Sequence, residues 1–183
     1  MRRLVPLTLC GLLLGCGGAP PAPVKSDWQV AQEKKDWLEH APSALPPYPR
    51  SDHLLEFNVA AVASFRFFID ASSFSVGSDG VVRYVLVARS PSGAENVSYE
   101  GIRCAGRSYR LYATARRDGT WTEARDDRWR PIPRESVDWH RALSDDYFCP
   151  RGMTIASAAE GIDALKRGGN PAAAGDSRPT SGD

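Results

Sequence analysis

From Leu54 onward the chain is written in a period of two, and no other feature limits its possible folds as strongly. Leu55, Phe57 and Val59 alternate with Glu56 and Asn58, and Phe65, Phe67 and Ile69 alternate with Arg66, Phe68 and Asp70. Successive side chains on a strand point to opposite faces, so this spacing predicts half-buried strands. Val81 to Arg89 is rich in the β-branched and aromatic residues that suit a pleated surface, and Asn96 to Cys104 and Arg107 to Arg117 supply two more such runs. Ser78-Asp79-Gly80, Pro91-Ser92-Gly93 and Asp118-Gly119, the last leading into Trp121, are tight-turn signals between them. Strands joined by turns this short run antiparallel, which predicts a twisted meander of five or six strands.

Helical signals flank the strands. Ser26 or Asp27 can cap a helix running to about Glu39, with Val30, Ala31, Lys34, Trp37 and Leu38 along one side. Pro42, Pro46, Pro47 and Pro49 then predict an extended polyproline strap from Pro42 to Arg50 that fixes this helix to the sheet; a ligand for a proline-binding partner is the other reading. Ser136 to Phe148 is expected to be helical and to bring Cys149 back to the sheet. Ser157-Ala158-Ala159-Glu160 has the form of a capping box, Ile162 and Leu165 give the next helix an apolar side, and Gly168 is its stop. The expected class is α+β, an antiparallel sheet with short N-terminal and C-terminal helices packed on it.

The beginning of the chain carries an address. Arg2 and Arg3 open a short apolar run that ends in Leu13-Leu14-Gly15-Cys16, the pattern of a bacterial lipobox. The run is too short to span a bilayer as a helix, and its charged start and small residue before the cysteine are signal-peptide features. Residues 1–15 are therefore expected to be removed and Cys16 to be lipidated, with 16–25 a flexible Gly/Ala/Pro tether, 26–168 one domain and 169–183 a disordered tail. With Gly17 after the anchor, the expected place is the outer membrane, facing the periplasm, with surface exposure the alternative. Removing Arg2 and Arg3 leaves 21 basic against 22 acidic residues, and a net charge near −1 gives no bulk attraction for nucleic acid.

Of the four cysteines, Cys10 leaves with the signal and Cys16 carries lipid. Cys104 and Cys149 remain in an oxidising compartment and are read as a disulfide, the alternative being two unpaired thiols. Such a bridge closes a loop of about 46 residues and stabilises the fold by about 4 kcal/mol in the chain-entropy picture. His40, His53 and His140 fall in separate elements without metal-ligand spacing, so no metal and no cofactor is expected. The chain has no G-x-S-x-G elbow and no glycine-rich phosphate loop. Asp138-Trp139-His140 reads either as an oriented imidazole or as an exposed helix turn, and Asp126-Asp127 and Asp145-Asp146 are adjacent, which points each pair apart. No enzyme is expected from these residues.

Arginine among aromatics is the one compositional oddity. Arg103, Arg107, Arg110, Arg116, Arg117, Arg125, Arg128 and Arg130 are interspersed with Tyr109, Tyr112, Trp121 and Trp129. On the Arg107 to Arg117 strand, alternation predicts Tyr109, Leu111, Ala113 and Ala115 toward the core and Arg110, Tyr112 and Arg116 outward as a contact face for a protein partner. Glu100, Glu123, Asp126, Asp127 and Glu135 are near in sequence, so internal pairing of this charge is the competing reading.

The run Leu54 to Asp70, the block Ser90 to Cys104, Tyr109-Arg110-Leu111-Tyr112-Ala113, Asp118-Gly119-Thr120-Trp121 and Tyr147-Phe148-Cys149-Pro150 resemble the CNP-one-like family of Gram-negative lipoproteins over about Trp37 to Arg167. That resemblance implies no catalytic assignment. The order of a strand ending in Asp70, Ser72 and Ser73, a glycine hairpin, a Val-rich strand and strands bearing Cys104, Arg107 and Asp118-Gly119 is also similar to surface-adhesin protein E. The expected function is a non-enzymatic outer-membrane lipoprotein with an envelope structural or protein-interaction role. A surface-displayed adhesin binding a host protein is the alternative, and an enzyme is third.

Overall fold

A computed structural model describes residues 37–59 and 64–173, within a compact unit that begins at Trp37. The signal segment, the Cys16 anchor, the tether and most of the predicted first helix lie outside the described residues. Trp37, Leu38 and Glu39, placed by periodicity at the end of that helix, are not helical, and Leu38 is exposed.

Alternation becomes strand where it was read. The sheet comprises β1 (Leu54–Phe57), β2 (Arg66–Asp70), β3 (Ser75–Val76), β4 (Val81–Arg89), β5 (Glu95–Arg103), β6 (Ser108–Ala115), β7 (Trp121–Glu123) and β8 (Arg130–Pro131). Its main path is β1-β2-β4-β5-β6-β7, with β3 paired to β4 and β8 to β6, every pairing antiparallel. The β4–β5 ladder is the longest, running from Val81 opposite Arg103 to Arg89 opposite Glu95. The fold class is α+β, with two short strands beyond the six of the main path.

Both faces of the sheet are covered. On the first face, Phe67, Ile69, Val82, Tyr84, Leu86 and Ile102 pack against Leu143, Tyr147, Phe148, Ala164 and Leu165 from the helical segments. On the second, Phe68, Val85, Val87, Val97, Tyr99 and Ala113 pack together with Tyr48 from the proline-rich segment and with Trp121. Two-sided coverage is why every residue of β4 except Arg89 is buried. Each fully buried Val, Leu or Phe of this kind stabilises the fold by about 1.5–3 kcal/mol relative to exposure.

The C-terminal third departs from a simple helix. In place of one helix from Ser136 there is a single turn, α1 (Trp139–Ala142), capped by the Asp138 carboxylate accepting from the Arg141 backbone N–H, and it continues as a π-helical segment, Leu143–Phe148. Helix α2 (Ala158–Arg167) follows its predicted signals. Ser157 Oγ accepts from the Glu160 N–H, the Glu160 carboxylate accepts from the Ala156 N–H, and Gly168 ends the helix in the left-handed region at φ 76°. The tail expected from residue 169 does not start there. Gly169 N–H donates to Ala164 O, and the buried Asn170 donates its backbone N–H to Asp146 O and its amide to Glu160.

Candidate functional site

Three polar arrangements are built on this frame. The first lies on the second face of the sheet, where β6 carries a bulge. Tyr99 pairs with Ala113 and Glu100 with Leu111, so Tyr112 is an extra residue between them. A bulge breaks strict alternation and re-aims a side chain. Tyr112 consequently shares the second-face core with Ala113, and its hydroxyl donates to Glu39 at 2.5 Å. The same carboxylate accepts from Arg110 Nη1 at 2.5 Å, Trp129 Nε1 at 3.0 Å and Arg83 Nη2 at 3.3 Å. Arg83 is also held by Asp79, at 2.6 Å, and by the His40 carbonyl, while the Trp37 indole donates to Asp79 O. Burial opposes the charge on Glu39, but the Tyr112 and Trp129 hydrogen bonds and the Arg110 charge outweigh it and hold the carboxyl below its ordinary value.

This arrangement corrects the predicted contact face. Arg110 points to the same side as Tyr112 but is tied to Glu39 and Asp127. Tyr112 is buried, and only Arg116 of the three is exposed. Leu111 is half-buried and belongs to neither core cluster. The chain upstream of β1 covers the surface that alternation by itself leaves open.

The second arrangement is on the first face. Glu100, buried in β5, accepts from Ser98 Oγ at 2.6 Å, Tyr84 Oη at 3.3 Å and Trp139 Nε1 at 3.3 Å, and lies 3.1 Å from His140 Nε2. Tyr109 stacks on the His140 ring with centroids 3.6 Å apart, and His140 Nδ1 is 3.9 Å from the Asp138 carboxylate. His140 is thus a buried partner of Glu100 rather than part of an exposed turn. Burial works against ionised Glu100, and the His140 interaction with the Ser98 and Trp139 hydrogen bonds overcomes it, so its carboxyl is also held below the ordinary value.

The third arrangement surrounds the cysteines. Cys104, the residue after β5, and Cys149, after the π-helical segment, are bridged, with Cα atoms 5.4 Å apart. A groove of about 850 Å³ opens beside the bridge, lined by Arg107, Arg134, Arg151, Asp145 and Asp146 among others. Arg107 forms a two-pronged ion pair with Asp145 and donates Nε to the Ile132 carbonyl. Asp146 is exposed at the rim, and partial desolvation there, opposed by the Arg141 charge and reinforced by that of Asp145, pushes its carboxyl up.

Neither carboxylate pair converges: Asp126 binds Arg128 and Arg130 while Asp127 binds Arg110, and Asp145 binds Arg107 while Asp146 makes no such pair among the described residues. Among the described residues no group of three His, Cys, Asp or Glu could hold a metal ion, and no helix is long and apolar enough to cross a membrane. Sequence reasoning missed Glu39, Arg83 and Glu100. The available signal was a charge inside an otherwise apolar strand, Arg83 in Val81–Arg89 and Glu100 between Tyr99 and Ile102.

Fold and sites together define a small disulfide-bridged α+β domain, its sheet covered on both sides and each side organised around one glutamate whose side chain is enclosed. The chain belongs to the CNP1-like family, whose sequence pattern matches residues 32–166. It is 25% identical over 177 residues to Cryptic neisserial protein 1 of Neisseria gonorrhoeae, spanning 84% of this chain and 87% of that protein. No solved structure matches it.

Proposed function

We propose that this chain is a lipid-anchored, non-enzymatic interaction domain of the outer membrane, held by Cys16 and facing the periplasm. The observation that supports this reading most is the state of the two buried carboxylates. Glu39 and Glu100 each interact with four side chains of the same domain. Their lone pairs are committed to holding the fold, which is the usual role of satisfied buried polar networks. A general acid or base needs a partner it can exchange a proton with at a bound substrate. With these two carboxylates occupied, the polar groups open to a visitor are those of the surface and its grooves, which suits a binding partner.

The anchor half of the reading rests on Leu13-Leu14-Gly15-Cys16. Membrane fractionation and mass spectrometry of the mature N-terminus test it: the wild type is expected in the outer membrane with an acylated Cys16, and Cys16→Ser is expected to lose the acyl chains. Recovery in the inner membrane overturns the sorting. Crosslinking in intact cells tests the interaction half, with a discrete adduct to one envelope protein expected, and protease shaving of the same cells separates periplasmic from surface display.

A further inference from the structure

We propose that the groove beside the Cys104–Cys149 bridge binds an acidic peptide segment of a partner protein, with Arg134 and Arg151 gripping its carboxylates. The proposal deepens the interaction reading above and rests on it.

Three irregularities converge on this groove. Among the described residues only two non-glycine positions have positive φ, Arg107 at 42° and Arg151 at 54°. Both are arginines, both follow a bridged cysteine by three residues or fewer, and both line the groove. Left-handed backbone is disfavoured for residues with a Cβ, and such positions gather at functional sites where the surroundings enforce them. Arg151 is the third residue of the turn Cys149-Pro150-Arg151-Gly152, closed by Gly152 N–H to Cys149 O, a position that in its φ favours glycine. The third irregularity is the π-helical segment Leu143–Phe148, which brings Asp145 and Asp146 to the same rim. Such segments are rare and recur at functional sites.

The charges then select the ligand. Asp145 is taken by Arg107, with Arg141 Nη1 a further 3.4 Å neighbour. Arg134 and Arg151 are exposed and have no carboxylate within ion-pair reach among the described residues. Guanidinium groups present planar forks that match carboxylates two bonds at a time. Asp146 argues against a bare multivalent anion, since a phosphate offers it only like charge, whereas a peptide supplies backbone N–H donors along with its acidic side chains. The small residues Ala105 and Gly152 on the lining leave space for a main chain to approach, and about 850 Å³ exceeds what a simple ion needs.

Fluorescence anisotropy with the purified full chain and a labelled Glu-rich octapeptide tests the assignment, with a Lys-rich octapeptide and inorganic phosphate as the other arms. The Glu-rich peptide is expected to bind and the Lys-rich one not. Arg134→Gln and Arg151→Gln should each weaken binding by about tenfold, a loss of one charged contact, while Arg117→Gln, exposed and outside the groove, leaves it unchanged. Arg151→Gly should weaken binding and raise the thermal midpoint, because it removes the guanidinium and the strained Cβ together. Asp146→Ala separates the ligands: it should weaken a peptide that donates to Asp146 and strengthen a simple anion. Equal affinity before and after the Arg134 and Arg151 changes, displacement by phosphate as readily as by unlabelled peptide, or tighter binding in Asp146→Ala overturns the groove assignment. The broader interaction reading is decided separately by the cellular crosslink, which does not depend on these arginines.

Discussion

The Glu39 carboxylate lies 2.5 Å from the Tyr112 hydroxyl across 73 positions of sequence. That contact fastens the segment preceding β1 to the bulge in β6. It also explains why a strand whose alternation points Tyr112 outward nevertheless buries it. Because Arg83, Arg110 and Trp129 converge on the same carboxylate, one residue joins β4, β6 and the stretch before β8.

Removing Glu39 should therefore cost more than an ordinary surface change. Glu39→Ala leaves Arg83 with Asp79 and Arg110 with Asp127, so its expected cost is about 2–3 kcal/mol rather than the full penalty of an orphaned ion pair. Tyr112→Phe deletes one donor and should cost about 1–2 kcal/mol. Urea unfolding measures both, and limited proteolysis should show faster cleavage within residues 37–50 in Glu39→Ala only.

Acid should weaken the fold through Glu39 and Glu100. Both carboxyls are held below the ordinary value of 4.5 in the folded state, so the unfolded chain takes up their protons first as pH falls. Their contribution is complete above about 4.5 and is lost as pH falls through the folded values. Urea midpoints measured from pH 7 to pH 3 should decline below pH 5, and Glu100→Gln should flatten that decline while lowering the midpoint at pH 7.

The Cys104–Cys149 bridge should contribute about 2–5 kcal/mol, measured by comparing unfolding of the oxidised protein with that of Cys104→Ser. Thiol labelling in denaturant without reductant should find neither cysteine free.

Gly161 presents a reversed sign. At an exposed helical site Gly→Ala stabilises by about 0.5–1 kcal/mol. Here a Cβ would meet the Phe74 ring at 2.4 Å and Ile155 Cδ1 at 2.7 Å. Gly161→Ala should instead destabilise by about 1–3 kcal/mol, read as a lower thermal midpoint.

Core truncations should rank by the structure and not by strand parity. Ile102→Ala should cost about 2–5 kcal/mol, as a large-to-small change in the first-face core. Leu111→Ala, half-buried, should cost about 1 kcal/mol, and Arg116→Ala should stay within about 0.5 kcal/mol.

Local pattern was enough to determine much of this protein. The strands of Leu54–Phe57 and Ser108–Ala115 lie where alternation puts them and Val81–Arg89 where β-branched and aromatic residues do, and Ser157, Glu160 and Gly168 bound α2 as their side chains and backbone freedom require. These features depend on neighbours within a few residues, which a sequence displays directly. Tertiary structure alone decided the rest. The bulge at Tyr112 reverses which residues of β6 reach the second core, since register is a relation between two strands. Glu39 and Glu100 gain their roles from partners as many as 90 and 40 positions away. A buried charge is tolerable only where enough donors meet it in space, and no one-dimensional spacing records that convergence.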